Sequence, residues 1–472
     1  MPTMPAAPHF SRTHCDLQHV FSPLPFMPAP KRQLPSYLEP ADLASAGALR
    51  LFAEALTTGL LTGLVIGALR LIYTHANSLL CTLYLDAGPS LLRCALAALF
   101  IALCGLTAYF CVRREPLAGG SGIPQLELAL RNLLPMPWLK VLCCKFIGTL
   151  ASMCGCLSLG RAAPSIQMGA AIGCGVGSLW HDSLRPRFLT GGAVAGLTAC
   201  FGAPLAGIFF AFEELRTIFS LPHLLFMGLC AGSSWLTTTH LLDLEPVFPL
   251  AGSLQLNPLS PAELLLVPCI SLAAAVLCCL YLAGIRRLSY LGDRYLSQPA
   301  RFAIAFSIGF VLLLVFPAVL DGLGPTVFEL TRQCPPMNVL LVLFAVKFLF
   351  NVISGASYAP GGLILPLLFA GALSGAVLSS VLELLSYPVP GQVLIPLGMA
   401  AFFSGCIRAP LTAAFLIAET TAEWTMLPAL LMVSFLTFVL ANAFGAQPLF
   451  TFMRMRQLRL MRQAARQKER AG

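Results

Sequence analysis

Long apolar runs separated by short polar stretches make up most of the chain after residue 48. A helix needs about 20 apolar residues to cross a bilayer, and several uncharged runs reach that length. They are Cys94 to Val112, Phe188 to Phe212, Leu264 to Ile285, Phe302 to Leu320 and Trp424 to Met453. Other apolar runs are shorter or are interrupted by glycine and proline. This pattern predicts an all-α protein that crosses the membrane many times.

The composition supports a membrane protein. Hydrophobic residues make up 57% of the 472 residues and charged residues only 10%, whereas a soluble domain carries roughly 25% charged residues. The 17 cysteines fall mostly inside apolar runs, as Cys143 and Cys278 do, without the paired spacing of a zinc site. We therefore interpret them as small packing residues and expect no metal and no cofactor.

The stretch from Gly160 to Gly175 resembles the start of a broken helix. Gly160 permits an irregular approach, Pro164 suits a first helical turn, and the eleven residues after it carry no charge. A helix that begins inside the membrane leaves unpaired N–H groups there. Together with the positive end of the helix dipole, these groups form a site for an anion.

The same pattern occurs again in the second half of the chain. Five residues recur with a constant offset as Gly160/Gly362, Pro164/Pro366, Gly169/Gly371, Ala170/Ala372 and Gly173/Gly375. A second block follows each copy, in which Ala203-Pro204-Leu205, Phe209 and Glu213 recur as Ala409-Pro410-Leu411, Phe415 and Glu419. Interrupted apolar segments at corresponding positions of two halves indicate a transporter built from inverted-topology repeats. Its broken helices meet at a site near the bilayer midplane.

These features divide the chain into five parts. Residues 1–48 form a Pro-rich cytoplasmic segment with nine prolines before residue 41, and residues 49–240 and 262–453 form the two membrane repeats. Residues 241–261 are the linker. The tail of residues 454–472 carries six arginines and one lysine against one glutamate. Because positive loops stay on the inner side, both termini are expected in the cytoplasm.

Two further stretches carry candidate chemistry. In Gly120-Ser121-Gly122-Ile123-Pro124, Ser121 is placed to cap a helix, or alternatively to offer its hydroxyl to an anion. Lys145 lies in an apolar run, and we predict a buried ion pair with Glu127. Arg161, beside Gly160, is placed to attract anions to a pore mouth.

These motifs resemble those of the CLC family of chloride channels and proton-coupled chloride transporters, over residues 49 to 460. The resemblance implies a homodimer with one pore per subunit and no enzymatic activity. It also implies that Ser121 donates its hydroxyl to the anion and that backbone N–H groups of Leu363 and Ile364 face it. Glu214 matches the inner proton-relaying glutamate. The full anion-binding set implied is Ser121, Gly122, Ile123, Arg161, Ala162, Ala163, Leu363, Ile364 and Phe450.

The sequence departs from the family pattern at decisive positions. The gating glutamate of the family is here Ala162, and the next residue is Ala163 in place of glycine. The usual aromatic of the second-half motif is Ile364, and the tyrosine that completes the central site aligns with Phe450. Without the gating carboxylate we expect passive conduction of chloride and similar anions, uncoupled from protons.

Two alternatives remain open. The first is a chloride/proton antiporter that uses another outer acid, which proton flux under a chloride gradient would distinguish. The second is an intramembrane enzyme such as a lipid-head-group transferase, for which we find no cluster of acids or histidines at membrane depth. We expect chloride and other small anions, the lipid bilayer and a second copy of the chain as partners, no nucleic acid, and location in a bacterial inner membrane.

Overall fold

The computed structural model describes residues 45–84, 90–180, 185–244, 247–248, 265–320, 327–332, 335–386 and 391–471. The predicted N-terminal segment up to residue 44 and most of the predicted linker lie outside the described residues. Within the described stretches the structure is helical, apart from turns and one isolated bridge between Gly160 and Gly362.

The first half contains eight α-helices, which we number in chain order. They are α1 (Ser45–Tyr84), α2 (Leu91–Arg114), α3 (Ile123–Leu130), α4 (Trp138–Cys154), α5 (Ala162–Trp180), α6 (Arg185–Phe201), α7 (Pro204–Glu213) and α8 (Leu221–Leu236). A π-helical turn, Thr237–Leu241, follows α8. α1 is the longest helix of the described chain, with 40 residues, and continues through His75 to Tyr84.

The second half repeats the arrangement. Its helices are α9 (Leu266–Tyr295), α10 (Gln298–Val315), α11 (Val327–Arg332), α12 (Met337–Ala356), α13 (Ile364–Leu384), α14 (Gly391–Ile407), α15 (Pro410–Thr421), α16 (Leu427–Ala443) and α17 (Leu449–Ala471). α17 runs without interruption across the predicted tail boundary at residue 454.

Seven helices of the described chain are long and apolar enough to cross a membrane: Ala48–Ser78, Leu91–Arg114, Leu266–Tyr295, Gln298–Val315, Met337–Ala356, Ile364–Leu384 and Trp424–Ala443. The chain is thus a multi-pass membrane protein. Two predicted spans are wrong as single helices. The run Phe188 to Phe212 breaks at Gly202, and the run Trp424 to Met453 breaks at Gly445. Both glycines adopt positive φ, 75° and 69°, which ends the preceding helix.

Glycine contacts hold the corresponding helix pairs of the two halves together. A Cβ added to Gly169 of α5 would lie 2.1 Å from the carbonyl oxygen of Gly192 in α6. In the second half, a Cβ on Gly371 of α13 would lie 2.6 Å from the carbonyl oxygen of Gly398 in α14. Only glycine permits this backbone approach, which is how small residues drive helix packing in a membrane. The two halves contact each other at Phe209 and Phe415, whose ring centroids lie 4.5 Å apart with the rings tilted by 32°.

Candidate anion site

The two motif glycines form a backbone bridge between the two halves. The N–H of Gly160 donates to the carbonyl of Gly362 and the N–H of Gly362 donates to the carbonyl of Gly160, both at 2.7 Å. A Cβ on Gly362 would lie 2.7 Å from that of Ala163, so a larger residue does not fit there. Because α5 and α13 begin two residues after these glycines, the bridge fixes both helix starts next to each other.

The residues at these two helix starts are buried. Ala162 and Ala163 open α5, Ile364 opens α13 with Leu363 as its cap residue, and all four side chains are at most 1% exposed. The first N–H groups of an α-helix have no partner within the helix. Both helices therefore begin within the glycine blocks, as the sequence predicted.

Ser121 lies in a loop shaped by glycines and does not cap α3. The cap residue of α3 is Gly122, with φ 92°, and no side chain bonds to the helix start. The predicted role of Ser121 as an N-cap is therefore wrong, because the left-handed Gly122 comes between the serine and the helix. The Ser121 hydroxyl is buried, and its hydrogen-bond contact within the described chain is the weakly accepting Met453 sulfur, at 3.9 Å.

Lys145 supports the Ser121 loop. Its ammonium group donates to the carbonyls of Ala118 and Gly120 at 3.0 and 2.6 Å. The predicted ion pair with Glu127 is wrong, since Glu127 pairs with Arg454 of α17. A sequence signal for this role was available: Lys347 lies 202 residues after Lys145, the offset of the glycine repeat, and it donates to the carbonyl of Val319 at 2.9 Å.

A small cavity opens beside this loop. It holds about 30 Å³, enough for one or two water-sized ligands. Ser121 and Leu363 line it, one from each half, together with Met453. The other residues of the predicted anion site do not line this cavity. They are Gly122, Ile123, Arg161, Ala162, Ala163, Ile364 and Phe450. Phe450 is fully buried in the first turn of α17.

Tyr358 is a cavity residue that the sequence analysis missed. Its ring covers Gly119, where a Cβ would come within 2.3 Å of the ring, and its carbonyl accepts the N–H of Gly120 at 3.1 Å. Its hydroxyl donates to Gln457 at 2.7 Å. Tyr358 therefore supplies a buried hydroxyl at the cavity, although the aligned tyrosine position is Phe450. No motif indicated it, because it precedes the glycine block by three residues.

Two arginines lie near each other beside Gly160. Arg161 is partly buried, and its Nε has no hydrogen-bond partner within the described chain. Arg70 of α1 donates to the carbonyl of Ala199 at 3.0 Å, and its charge interacts with that of Arg161. Two cations of this kind raise the local concentration of anions. The sequence shows Arg70 as a charged residue within a spanning helix, but it does not indicate the contact with Ala199.

Glu214 lies in a cluster of acids and arginines. It follows α7, it is 9% exposed, and its carboxyl group lies close enough to that of Glu127 for the two charges to interact. Arg454 binds Glu127 and Arg216 lies nearby, so two cations offset the negative charge of the two acids.

Comparison with known proteins decides the family. The profile of a family described as voltage gated chloride channel, Voltage_CLC, matches residues 104–442. The chain belongs to the CLC family. Members of this family are channels and transporters, and the helical architecture agrees with solved CLC structures. A slow cyanobacterial Cl⁻/H⁺ antiporter superposes with a TM-score of 0.78, at 25% identity, over 87% of this chain and 98% of that chain. A eukaryotic CLC transporter shows the same fold, with a TM-score of 0.72 at 22% identity over 86% of this chain and 74% of that chain.

Curated CLC relatives cover most of the chain. The H(+)/Cl(-) exchange transporter ClcA of Vibrio vulnificus (strain YJ016) is 31% identical over 420 residues, 85% of this chain and 88% of its own length. The protein of the same name from Vibrio cholerae serotype O1 (strain M66-2) is 29% identical over 391 residues, covering 79% of this chain and 81% of its own length.

These relatives correct the expected function. Passive conduction, inferred from Ala162 alone, is contradicted: the curated relatives are named exchange transporters, and the structural neighbour at 25% identity is an antiporter. The physical reason is that proton coupling depends on a whole route. Ala162 removes one carboxylate, whereas two other acids, Glu214 and Glu127, are present and buried.

Proposed function

We propose that this chain exchanges chloride for protons across a bacterial inner membrane. The observation that carries the proposal is the pair of neighbouring, buried carboxyl groups of Glu214 and Glu127, a candidate proton site in a chain whose curated relatives are named H(+)/Cl(-) exchange transporters. A passive anion pore has no need of a group that takes up protons. Chloride is the transported ligand and no cofactor takes part.

The anion route uses neutral donors. We assign the central anion to the Ser121 hydroxyl and to backbone N–H groups of Gly122, Ile123, Leu363 and Ile364, at helix starts that carry no acidic side chain. Neutral donors hold an anion without the strong attraction of an ion pair, so it can leave again. Ala162, Ala163 and Phe450 complete the walls of the route. Arg161, with Arg70 behind it, attracts anions to the outer end.

We propose that both termini lie in the cytoplasm. Arg113 and Arg114 end α2, and the rings of Tyr109 and Phe302 pack together, so the end of α2 lies at the start of α10. Arg456 of the basic tail binds Asp293, just before α10. The arginines therefore gather at one end of the helices, and positive charge favours the inner side.

We also propose a homodimer. The surface of α7, α8 and α16 exposes large apolar side chains: Leu205, Leu221, Leu225, Met432, Phe435 and Val439. This face is where the two halves of one chain meet, near Phe209 and Phe415. Native mass spectrometry in mild detergent should give twice the chain mass of 50.3 kDa, and a single-chain mass at all concentrations would overturn the dimer.

Proton movement tests the exchange. Purified protein in liposomes, placed in a chloride gradient without a proton gradient, should drive protons in the direction opposite to chloride and in a fixed ratio. Glu214→Gln should stop the protons while chloride still moves, because the substitution removes the titratable group and keeps the shape. Chloride flux through the unmodified protein without any proton movement would refute the proposal.

A further inference from the structure

A wide groove lies between α2 and α10. Its volume is about 430 Å³, compared with about 30 Å³ for the cavity at Ser121, and the two share no lining residue. α2 and α10 are also the least buried of the seven spanning helices of the described chain, with 28% of each apolar window buried. The groove therefore faces the lipid.

The groove owes its shape to a regular pattern on both helices. On α2 its lining residues recur at helical spacing, and small residues such as Ala98, Ala102 and Gly105 leave space between the helices. On α10 the buried rings of Phe302 and Phe306 form the floor. A Cβ on Gly105 would lie 3.2 Å from the Phe306 ring, so the floor is in tight contact. Almost the whole lining is apolar.

The length of the groove fits half a bilayer. It extends on α2 from Ala98 to Tyr109, and eleven steps of about 1.5 Å give roughly 16 Å. The hydrocarbon core of a bilayer is about 30 Å thick, so the groove spans about one leaflet. An acyl chain of a phospholipid has this length and this apolar chemistry.

One end of the groove is basic. Arg113 and Arg114 are exposed one turn beyond Tyr109 at the end of α2. α10 begins at the same end, and its cap residue Ser297 makes no side-chain bond to the helix start, whose N–H groups and dipole favour a negative group. Asp293 nearby is neutralised by Arg301 and Arg456. The groove therefore has a mouth suited to a phosphate.

We propose that the α2–α10 groove binds one acyl chain of an anionic phospholipid from the leaflet on the arginine-rich side, with the phosphate held at Arg113, Arg114 and the start of α10. This inference does not depend on proton exchange. It assigns to the transporter a specific lipid site on its lipid-facing surface, separate from the anion route.

Native mass spectrometry can test the groove with a defined lipid. The full-length protein in mild detergent is titrated with phosphatidylglycerol, or with phosphatidylcholine that has the same acyl chains. The unmodified protein should retain phosphatidylglycerol more tightly. The double variant Ala102→Leu, Ala303→Leu fills the groove, and displacing only two methylenes of the chain weakens binding about tenfold. Ala95→Leu, on an exposed α2 position outside the groove, is the matched control and should bind as the unmodified protein does.

The headgroup contact is tested separately. Arg113→Gln and Arg114→Gln should each weaken phosphatidylglycerol binding about fivefold and leave phosphatidylcholine binding unchanged. Arg93→Gln, at the opposite end of α2, should have no effect. Equal retention of phosphatidylglycerol by the double variant and by the unmodified protein would overturn the proposal. A preference for phosphatidylglycerol that survives the loss of both arginines would overturn the assignment of the phosphate.

Discussion

Glu213 and Glu419 each cap a helix in the opposite half of the molecule. The carboxylate of Glu213 accepts hydrogen bonds from the N–H groups of Leu411 and Thr412 at 2.9 and 2.8 Å. The carboxylate of Glu419 accepts them from Leu205 and Ala206, also at 2.9 and 2.8 Å. The recurring Ala-Pro-Leu and Glu positions in the sequence therefore form one reciprocal contact, in which each half satisfies the free donors of the other.

Removing one of these caps should loosen the contact between the halves. Glu419→Ala leaves two N–H groups at the start of α7 without a partner, a change that costs roughly 2 kcal/mol. Glu419→Gln keeps an acceptor oxygen and should lose only part of this stabilisation. Thermal unfolding in detergent is the measurement, with Glu383→Ala as control because Glu383 is exposed at the end of α13. Equal unfolding temperatures for Glu419→Ala and Glu383→Ala would show that the cap contributes nothing.

Lys145 and Lys347 allow stability to be separated from anion binding. Lys145→Met leaves the carbonyl of Ala118 without a donor and that of Gly120 with the N–H of Gly361 alone, so the Ser121 loop should lose its shape and chloride affinity should fall. Lys347→Met removes the equivalent donor to Val319 in the second half. Each unsatisfied carbonyl costs about 1 to 3 kcal/mol. Both variants should unfold at lower temperature, but only Lys145→Met should weaken chloride binding measured by calorimetry. A similar loss of affinity in both would mean that Lys145 acts through stability alone.

The sequence predicted the helix starts after Gly160 and Gly362, because they depend on local chemistry that neighbouring residues show. It did not predict the breaks at Gly202 and Gly445, which lie inside uncharged apolar runs. The partners of charged residues could not be predicted in this way. Glu127 had Lys145 as a nearby candidate, yet it pairs with Arg454, more than 300 residues away along the chain. Long-range pairing depends on how the helices pack, and single-sequence patterns contain little information on that.

The surroundings of Ser121 could not be predicted from neighbouring residues either. The Ser121 motif looked like an ordinary helix cap, because serine two residues before isoleucine and proline suits that role. The positive φ of Gly122 goes with its close packing against Gln167, and the N–H of Gly120 bonds to Tyr358 in the second half of the chain. The repeat itself did contain one unused signal, the offset of 202 residues between Lys145 and Lys347.

Ser121→Ala tests the central donor. A hydrogen bond to a charged partner is worth about 1.5 to 3 kcal/mol, so chloride affinity should fall roughly tenfold or more. Folding should be unaffected, because the hydroxyl does not cap α3. Calorimetric chloride titration with a thermal unfolding scan measures both quantities. Ser374→Ala removes a hydroxyl that bonds within α13 and should leave chloride affinity unchanged. Wild-type affinity in Ser121→Ala would exclude its hydroxyl from the anion site.

The last prediction concerns the missing carboxylate. Ala162→Glu places an acidic side chain at the start of α5, where free N–H groups and the helix dipole favour negative charge. When ionised, the new carboxylate should occupy the position that an anion would take, and chloride flux at neutral pH should fall. Protonation removes its charge, so flux should recover as the pH is lowered towards the ordinary glutamate pKa of about 4.3.

Ala162→Gln separates charge from size in this experiment. Glutamine has nearly the same volume but does not titrate, and Ala162 is fully buried, so any loss caused by crowding should appear equally in both variants. Chloride and proton fluxes from liposomes, measured between about pH 4 and 7.5, span the unperturbed glutamate titration. The glutamate variant alone should recover on acidification, and its proton movement per chloride should not fall below that of the unmodified protein, since a carboxylate has been added to the route. If both variants show the same flux at every pH, then residue 162 does not face the anion, and the start of α5 must be removed from the proposed site.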